Sequence, residues 1–190
     1  MQQPCEVGIL GSRRDSMHAM PATDSQPSTS GMKGKLILLA EDDAAQQKLF
    51  CHALQQSGVE CRLEIVEDGV ELIDYLFGTG QYKGRDPRVL PDLILLDLKM
   101  PRMDGLQVLQ VLRRVRDEQF HLPPVVVLTC SDHEQDIVDA YHWGARSYIR
   151  KPVSFPEFVE AVRETAQYWL GLNRPPPRWR YGMHLTSQGL

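Results

Sequence analysis

The chain has 190 residues, of which 42% are hydrophobic and 24% are charged, and its formal net charge is −4. This length allows one domain of ordinary size with additional terminal segments. The slightly acidic balance does not favour nucleic acid as a partner. No apolar run approaches the ~20 residues that a membrane-spanning helix needs. The four cysteines show no C-x-x-C spacing, so we expect them to be reduced thiols. Together these features predict a soluble cytoplasmic protein that binds neither membrane nor nucleic acid.

The two ends of the chain differ in composition from the rest. Residues 1–32 are rich in Gln, Ser, Thr, Pro and Met and lack lasting apolar periodicity, which predicts a disordered N-terminal tail. Residues 173–190 form a tail rich in Pro and Arg, which resembles a stacking patch for nucleic acid but is more often a solvated terminus. The basic and aromatic residues concerned are Arg174, Arg178, Trp179 and Arg180. The folded domain is therefore predicted over residues 33–172.

Between the tails, short aliphatic runs alternate with amphipathic stretches. The runs predict strands at 35–40, 61–66, 92–97, 124–129 and 147–150. The stretches predict helices at about 44–57, 69–78, 105–117, 133–143 and 155–170. This alternation predicts an α/β domain with a doubly wound, five-stranded parallel sheet in the order 2-1-3-4-5 and helices on both faces. Runs that are apolar throughout suit central strands, and the alternating run CRLEIV suits an edge.

Polar residues suited to phosphoryl transfer follow four of these strands. They are Glu41 and Asp42 after LILLA, Asp97 after LILL, Thr129 after PVVVL and Lys151 after SYIR. Because the carboxyl ends of parallel strands share one edge of an open α/β sheet, we expect these residues to meet there. Together they would hold a hard cation and a phosphoryl group.

The residue types favour this chemistry. Two like charges at ~4 Å repel by roughly 4 kcal/mol at an effective dielectric near 20, so three neighbouring carboxylates call for a cation. Oxygen-only ligands with room for water favour Mg²⁺ over Zn²⁺. Asp97 can act as a nucleophile toward phosphorus, Thr129 can donate to a phosphoryl oxygen, and Lys151 can offset its charge. Each residue alone also has an ordinary structural role, and for Asp43 we predict the role of N-cap of the helix at 44–57.

Four segments resemble a known family. They are LILLAEDD (36–43), DLILLDLKMPRMDG (92–105), VVVLTCSD (125–132) and SYIRKPVSF (147–155). Together they resemble the receiver domain of two-component response regulators, which has a flavodoxin-like fold, and the match spans about residues 35–170. The resemblance implies that Asp97 is the phosphoacceptor and takes its phosphoryl group from a phosphohistidine on a sensor histidine kinase.

The resemblance also implies the ligands of a metal ion. Mg²⁺ would be bound by Asp42 and Asp97 directly and by Glu41 through water. The backbone carbonyl of Lys99 would be a further ligand.

Other implied roles concern the phosphoryl group and its effect. Lys151 would contact a phosphoryl oxygen, with a cis peptide bond before Pro152. Thr129 and Tyr148 would form a switch pair: Tyr148 turns inward when Thr129 moves to bond the phosphoryl group. Cys130 stands where the family usually has Ala or Gly, and we interpret it as another small residue at that position.

A finer resemblance concerns the outer parts of the domain. The long loop at 79–91, the segment at 140–164 and YWLGLNRPPP (168–177) resemble stand-alone regulators that are often paired with phytochrome-type or other PAS/GAF sensor kinases. No second compact region follows the core, so we expect output through protein contacts. The expected partners are the kinase, a downstream phosphotransfer protein and a second copy of the chain.

The last predicted helix carries an apolar stripe at helical spacing. Its members are Phe155, Phe158, Val159, Val162, Ala166 and Trp169. Tyr168 and Leu172 fall off this stripe and would either cap the edge of the core or contact a second copy. By analogy with the subgroup, we favour a homodimer formed through the helix at 133–143, the strand at 147–150 and the helix at 155–170.

Two functions from different classes fit these residues. The first is a phosphorylation-switched interaction protein that catalyses only its own phosphorylation and dephosphorylation, or its variant, a phosphate sink or phosphorelay intermediate. The second is a Mg²⁺-dependent aspartyl-phosphate phosphatase. Haloacid-dehalogenase-like enzymes of that kind use D-x-D, whose second Asp is a general acid. Lys99 occupies that position here, so we expect no turnover enzyme, and a receiver that has lost phosphorylation is disfavoured because every site residue is present.

Overall fold

The computed structural model describes Met32, residues 34–115 and residues 122–174. The predicted N-terminal tail before Met32, the end of the helix predicted at 105–117 and most of the predicted C-terminal tail lie outside these residues. Met32 belongs to the folded core rather than to the tail, because its side chain is only 2% exposed. It lies beside Gly171, where an added Cβ would be 3.3 Å from the Met32 Cε.

Strands and helices alternate along the described residues. The strands are β1 (Leu36–Ala40), β2 (Arg62–Val66), β3 (Leu93–Leu96), β4 (Val125–Thr129) and β5 (Ser147–Arg150). The helices are α1 (Ala44–Gln56), α2 (Gly69–Phe77), α3 (Gly105–Arg114), α4 (Glu134–His142) and α5 (Phe155–Ala166). A 3₁₀ turn (Gly80–Tyr82) follows α2, and a π-helical turn (Gln167–Leu172) continues α5. The predicted elements are confirmed with small differences at their ends, and none of these helices is long and apolar enough to cross a membrane.

The strands form one parallel sheet in the order β2-β1-β3-β4-β5. Ala40 at the end of β1 pairs with Val66 on one side and with Leu96 on the other, so neighbouring strands end at the same edge. All residues of β1, β3 and β4 are buried, because helices cover both faces of these central strands. The partly exposed β2 lies at an edge, as its alternating pattern predicts. The predicted fold class and strand order are therefore confirmed.

Two apolar layers hold the helices on the sheet. Helices α2, α3 and α4 share one core layer with Leu38 of β1, and α1 and α5 share the other with Leu39. Neighbouring residues of a strand point to opposite faces, which is why Leu38 and Leu39 belong to different layers. In the second layer the rings of Phe50 and Phe158 meet edge to face, with their centroids 6.3 Å apart.

The apolar stripe predicted for the last helix faces this second layer. Its members are buried or half-buried there: Phe155, Phe158, Val159, Val162, Ala166 and Trp169. Tyr168 and Leu172 lie on the π-helical turn, off the stripe, and are 51% and 61% exposed. Apolar surface beyond what the core needs is therefore present at this end of the domain.

Aspartate side chains begin three of the helices. Asp43 accepts hydrogen bonds from two backbone N–H groups in the first turn of α1, which confirms its predicted role as N-cap. Asp68 caps α2 in the same way, and Asp104 forms a capping box with Gln107 at the start of α3. These hydrogen bonds therefore fix the residues at which the strand-end loops end and the helices begin.

The connection at 79–91 lies largely at the surface, but it is tied to α2. The phenol of Tyr82 donates to Glu71 at 2.9 Å. The guanidinium carbon of Arg85 lies 4.0 Å from the ring centroid of Tyr75, within the range of a cation–π contact. This loop is therefore a folded part of the domain.

Gly105, the first residue of α3, lies against the backbone that leads away from Asp97. A Cβ at this position would be 2.4 Å from the carbonyl oxygen of Asp97 and 2.9 Å from the Cα of Leu98. We expect Gly105→Ala to lower the free energy of unfolding by about 1–3 kcal/mol, the usual cost of extra volume in a well-packed core. Urea unfolding followed by circular dichroism would measure this change.

Gly171→Ala is the matched control. Its added methyl group would meet the flexible end of Met32 at 3.3 Å rather than backbone. We expect this variant to unfold at nearly the wild-type urea concentration. Equal stability losses in the two variants would contradict the steric explanation for Gly105.

Candidate functional site

The carboxyl ends of β1 and β3 place three carboxylates together. Glu41 and Asp42 follow β1, Asp97 follows β3, and one oxygen atom of each lies within 4.8 Å of the others. Glu41 and Asp97 are 2% and 6% exposed, whereas Asp42 is exposed. The sheet edge thus forms an acidic cluster that is buried on one side and open to solvent on the other.

The ammonium group of Lys151 lies among these carboxylates. Its Nζ is 2.5 Å from Oε2 of Glu41 and 3.3 Å from Oδ2 of Asp97. It also donates to Oε1 of Gln46, 2.5 Å away on the first turn of α1. The backbone N–H of Lys151 donates to the carbonyl of Thr129 at 2.8 Å, which fixes the residue beside the end of β4.

Burial and charge shift the pKa values of this cluster. Burial raises the pKa of Glu41 above its ordinary value, and the nearby Lys151 offsets this only in part. Burial alone would lower the pKa of Lys151, but the carboxylates of Asp97 and Glu41 outweigh it and hold that pKa above its ordinary value. Lys151 therefore stays charged, while ionised Glu41 has too little positive charge around it.

The cluster fits a divalent cation of the Mg²⁺ type. The side-chain atoms offered by Glu41, Asp42 and Asp97 are carboxylate oxygens, the ligands that hard cations prefer. Mg²⁺ keeps several of its waters when it binds protein, and the exposed side at Asp42 leaves room for them. A divalent cation would also supply the positive charge that one ammonium group cannot.

The backbone that follows Asp97 orients its carboxylate. Oδ1 accepts hydrogen bonds from the N–H groups of Leu98 at 2.7 Å and Lys99 at 3.4 Å. Oδ2 faces the ammonium group of Lys151. The two oxygens of Asp97 therefore have fixed and different surroundings.

Thr129 and Tyr148 meet at one loop residue. Thr129, the last residue of β4, is fully buried, and its Oγ1 accepts a hydrogen bond from the N–H of Ser131 at 3.4 Å. Tyr148 on β5 is half-buried against the first core layer, and its phenol donates to the carbonyl of Ser131 at 3.0 Å. Burial raises the pKa of this phenol. The concerted movement of Thr129 and Tyr148 stays a prediction.

Two residues that the sequence patterns do not mark belong to the site. Gln46 accepts from Lys151, and Asp136 of α4 accepts from the Ser131 hydroxyl at 2.5 Å and lies 3.3 Å from Nζ of Lys99. The Ser131 hydroxyl, helped by Lys99, lowers the pKa of Asp136. In sequence, Gln46 and Asp136 resemble any polar residue on a solvated helix face. Each lies on the first turn of a helix that follows a strand-end loop, and this is the sequence feature that could have identified them as site residues.

An apolar cavity of about 170 Å³ lies beside Lys151. It is lined by α1 residues such as Leu49 and Phe50 and by Phe158 of α5. Cys130, an exposed thiol, lies at the same cavity. Cys130 is therefore a neighbour of the acidic cluster rather than part of the core.

The peptide bond before Pro152 departs from the implied geometry. No peptide bond among the residues that the structure describes is cis, so this bond is trans, and the expectation of a cis bond was wrong. The trans isomer is the lower-energy form of most X–Pro bonds, and the short sequence motif alone does not override that preference.

A family model covers most of the folded domain. Residues 37–163 match the response regulator receiver domain, a span that includes the acidic cluster with Lys151 and the whole sheet except Leu36 of β1. The chain belongs to this family. The resemblance carried by the four sequence segments is thus confirmed.

Individual relatives resemble this receiver domain protein over most of their length. The probable methanogenesis regulatory protein FilR2 of Methanothrix harundinacea is 39% identical over 141 residues, which cover 74% of this chain and 87% of the relative. The response regulator Rcp1 of Synechocystis is 35% identical over 136 residues, which cover 72% of this chain and 89% of the relative.

Solved structures agree with the fold. The phosphorylated cyanobacterial phytochrome response regulator RcpA is 35% identical with a TM-score of 0.67, and the match covers 76% of this chain and 99% of that one. The Mn²⁺-bound form of Rcp1 is 32% identical with a TM-score of 0.65, and the match covers 75% and 99%. The chain is therefore similar to receiver domain structures that include a phosphorylated form and a form with a divalent metal.

The raised pKa of Glu41 predicts how stability depends on pH without a divalent cation. The unfolded chain releases this proton near the ordinary value of 4.5, whereas the folded chain retains it to higher pH. Glu41 therefore destabilises the folded state progressively as the pH rises from 4.5 through its folded pKa. We expect Glu41→Gln to gain stability relative to wild type over this window. Urea unfolding in EDTA at a series of pH values would measure the difference.

Asp43→Asn is the control of opposite sign. Hydrogen bonds from the N–H groups of Ala45 and Gln46 lower the pKa of Asp43. Ionised Asp43 therefore stabilises the folded chain in full above pH 3.8, the ordinary pKa value. This stabilisation is lost as the pH falls through the lower pKa of the folded state. The deficit of Asp43→Asn should appear as the pH rises toward 3.8 and stay constant above it. A Glu41→Gln curve parallel to wild type would contradict burial as the cause.

Proposed function

We propose that this chain is a response regulator that accepts a phosphoryl group on Asp97 from a sensor histidine kinase and signals by phosphorylation-dependent contacts with other proteins. The observation that carries the proposal is the Asp97 carboxylate, which lies 3.3 Å from the ammonium group of Lys151 and clusters with the carboxylates of Glu41 and Asp42. Membership in the receiver family and the phosphorylated form of the similar protein RcpA support it.

Mg²⁺ is the cation that suits this role. Asp42 and Asp97 would bind it directly, Glu41 would bind it through water, and the backbone carbonyl of Lys99 would be a further ligand. When bound, the ion supplies positive charge that offsets the carboxylates and the transferring phosphoryl group. The Mn²⁺-bound form of Rcp1 supports a divalent cation as the ligand of such a domain.

The transfer exchanges a P–N bond for a P–O bond. An oxygen of Asp97 attacks the phosphorus of the donor phosphohistidine, the P–N bond breaks, and the imidazole keeps the electron pair and takes up a proton. Lys151 stabilises the negative charge on the phosphoryl oxygens, and the Thr129 hydroxyl donates to one of them. Later attack by water on phosphorus releases phosphate and restores the Asp97 carboxylate.

The signal would be a change of surface. Thr129 moves to bond the phosphoryl group, and Tyr148 turns further inward into the space that Thr129 leaves. Because both side chains contact Ser131, a shift of one changes the loop that holds the other. The face made by α4, β5 and α5 changes with them, as a two-state element biased by one new charged group.

A phytochrome-type kinase is the proposed phosphoryl donor. RcpA, described as a phytochrome response regulator, supports this choice. The similar protein FilR2 is described as a methanogenesis regulatory protein and not as a phytochrome regulator. A transfer experiment should therefore compare the phytochrome-type kinase with a sensor kinase that lacks a phytochrome module. Faster transfer to Asp97 from the phytochrome-type kinase than from the other kinase would favour the proposal. The expected compartment of both partners is the cytoplasm.

Turnover of a separate substrate is not part of this function. Lys99 stands two residues after Asp97, where D-x-D phosphatases have their general acid. The alternative within the family is a phosphate sink or an intermediate in a multistep phosphorelay. Onward transfer from Asp97 to the histidine of a phosphotransfer protein would favour the relay.

Incubation with Mg²⁺ and acetyl phosphate tests the phosphoacceptor. We expect the wild-type chain to gain the mass of one phosphoryl group and Asp97→Ala to gain none, because the variant lacks the attacking oxygen. Intact-protein mass spectrometry would detect the adduct, and beryllofluoride would provide a stable mimic of it.

Asp43→Asn is the control for this experiment. Asp43 is an exposed cap close to the cluster in sequence, and its replacement leaves Asp97, Asp42 and Lys151 intact. This variant should be phosphorylated like wild type. Equal responses of wild type and Asp97→Ala would rule out the proposed mechanism.

A second copy of the chain is the other proposed partner. Large hydrophobic side chains are exposed on the proposed dimer face, with Val138 and Tyr141 on α4 at 60% and 52% and Tyr168 after α5 at 51%. We expect Tyr168→Ala to weaken the dimer by roughly tenfold in Kd, since buried aromatic side chains often dominate an interface. Sedimentation velocity with and without beryllofluoride would measure this change.

Val89→Ala is the matched control, because Val89 is 60% exposed but lies on the loop beyond α2 rather than on the proposed face. Its dimerisation should equal that of wild type. Monomers at every concentration, in wild type and Tyr168→Ala alike and with beryllofluoride present, would remove the homodimer from the proposal.

A further inference from the structure

The loop between β3 and α3 is tied to the start of α2 by an ion pair. The Nε of Arg102 donates to Oδ2 of Asp68 at 2.5 Å, and a terminal guanidinium nitrogen contacts the same oxygen. The side chain of Asp68 is only 4% exposed, whereas that of Arg102 is 61% exposed. A carboxylate this deeply buried has little water around it and depends on a charged partner.

The backbone of Arg102 shows that the loop is held in an unusual conformation. Its φ is 60°, which is the only positive φ of a non-glycine residue in the part of the chain that the structure describes. The left-handed region is unfavourable for a residue with a Cβ, so other contacts must stabilise it. The ion pair with Asp68 and the hydrogen bond from the N–H of Gly69 to the carbonyl of Met103, at 3.2 Å, both hold this loop against α2.

Asp68 has two separable tasks. Its Oδ1 accepts a hydrogen bond from the N–H of Glu71 at 2.9 Å and caps α2. Its Oδ2 binds Arg102. A helix cap needs one acceptor oxygen and no charge, and Asn supplies it as well as Asp does. The charged contact between the two loops therefore goes beyond what α2 requires.

We propose that Asp68 and Arg102 are positioning residues for the cation site at Asp97. They act through the loop, because a fixed Arg102 restrains the short chain between Asp97 and Gly105, including the carbonyl of Lys99. The inference rests on the proposed function, in which Asp97 and that carbonyl bind Mg²⁺. Interactions that orient metal ligands commonly contribute about 10–100-fold to metal affinity.

Titration of the protein with Mg²⁺ in the absence of a phosphoryl donor, by isothermal calorimetry, tests this role. We expect Asp68→Asn and Arg102→Gly each to weaken Mg²⁺ binding by roughly tenfold. Asp68→Asn retains an acceptor for Glu71, and Arg102→Gly relieves the left-handed backbone, so neither change removes the α2 cap. Arg102→Lys, which keeps the charge but not the guanidinium, should fall between wild type and Arg102→Gly.

Asp104→Asn is the matched control. It makes the same Asp-to-Asn change at a helix N-cap, but in the loop between β3 and α3 that also carries Arg102. The side chain of Asp104 accepts a hydrogen bond from the N–H of Gln107 at 2.8 Å. We expect its Mg²⁺ affinity to stay within about twofold of wild type. Thermal unfolding in EDTA would be measured for every variant. If Asp68→Asn and Arg102→Gly lower the unfolding temperature but bind Mg²⁺ like wild type, the ion pair is purely structural and the inference is wrong.

Failure of this inference is distinguishable from failure of the proposed function. If wild type binds Mg²⁺ and is phosphorylated on Asp97 while Asp68→Asn and Arg102→Gly keep its affinity, only the positioning role is wrong. If wild type itself does not bind Mg²⁺, the positioning role and the proposed function are both overturned.

Discussion

The balance of charge around Lys151 is the constraint on which the rest of the site depends. One ammonium group lies between two buried carboxylates, Glu41 and Asp97, with Asp42 beside them. Buried charges are unfavourable unless they are paired, and one positive charge does not pair three negative ones. This shortage of positive charge makes the edge of the sheet receptive to a divalent cation. It also requires that the ends of β1, β3 and β5 be held close together.

The two halves of this edge are held in different ways. On the β3 side, backbone N–H groups orient the carboxylate of Asp97, and the missing Cβ of Gly105 lets α3 start directly against it. On the β4 side, the side chains of Thr129 and Tyr148 are joined through hydrogen bonds to the backbone of Ser131. An oriented Asp97 carboxylate beside a network of side-chain hydrogen bonds suits the proposed phosphorylation switch, in which Thr129 and Tyr148 move and Asp97 does not.

Local patterns predicted the backbone well and the side-chain partners unevenly. The strand runs, the edge position of β2 and the cap at Asp43 followed from periodicity and helix-capping chemistry, both of which act over a few residues. Gln46 and Asp136 were not predicted, since their role depends on which loop happens to face the first turn of their helix. The cis bond before Pro152 was predicted from a motif and was wrong, because the isomer is selected by the folded surroundings.

By itself, the sequence determined the alternation of strands and helices, the family and the set of polar residues at the strand ends. It could do so because burial of apolar runs and the spacing of motifs are properties of single segments. Only the tertiary structure decided that Lys151 contacts Gln46 as well as the acids, that Met32 enters the core and that Arg102 reaches Asp68. These contacts join segments far apart in the chain, and their distances are set by how loops close over the sheet edge, which no local pattern encodes.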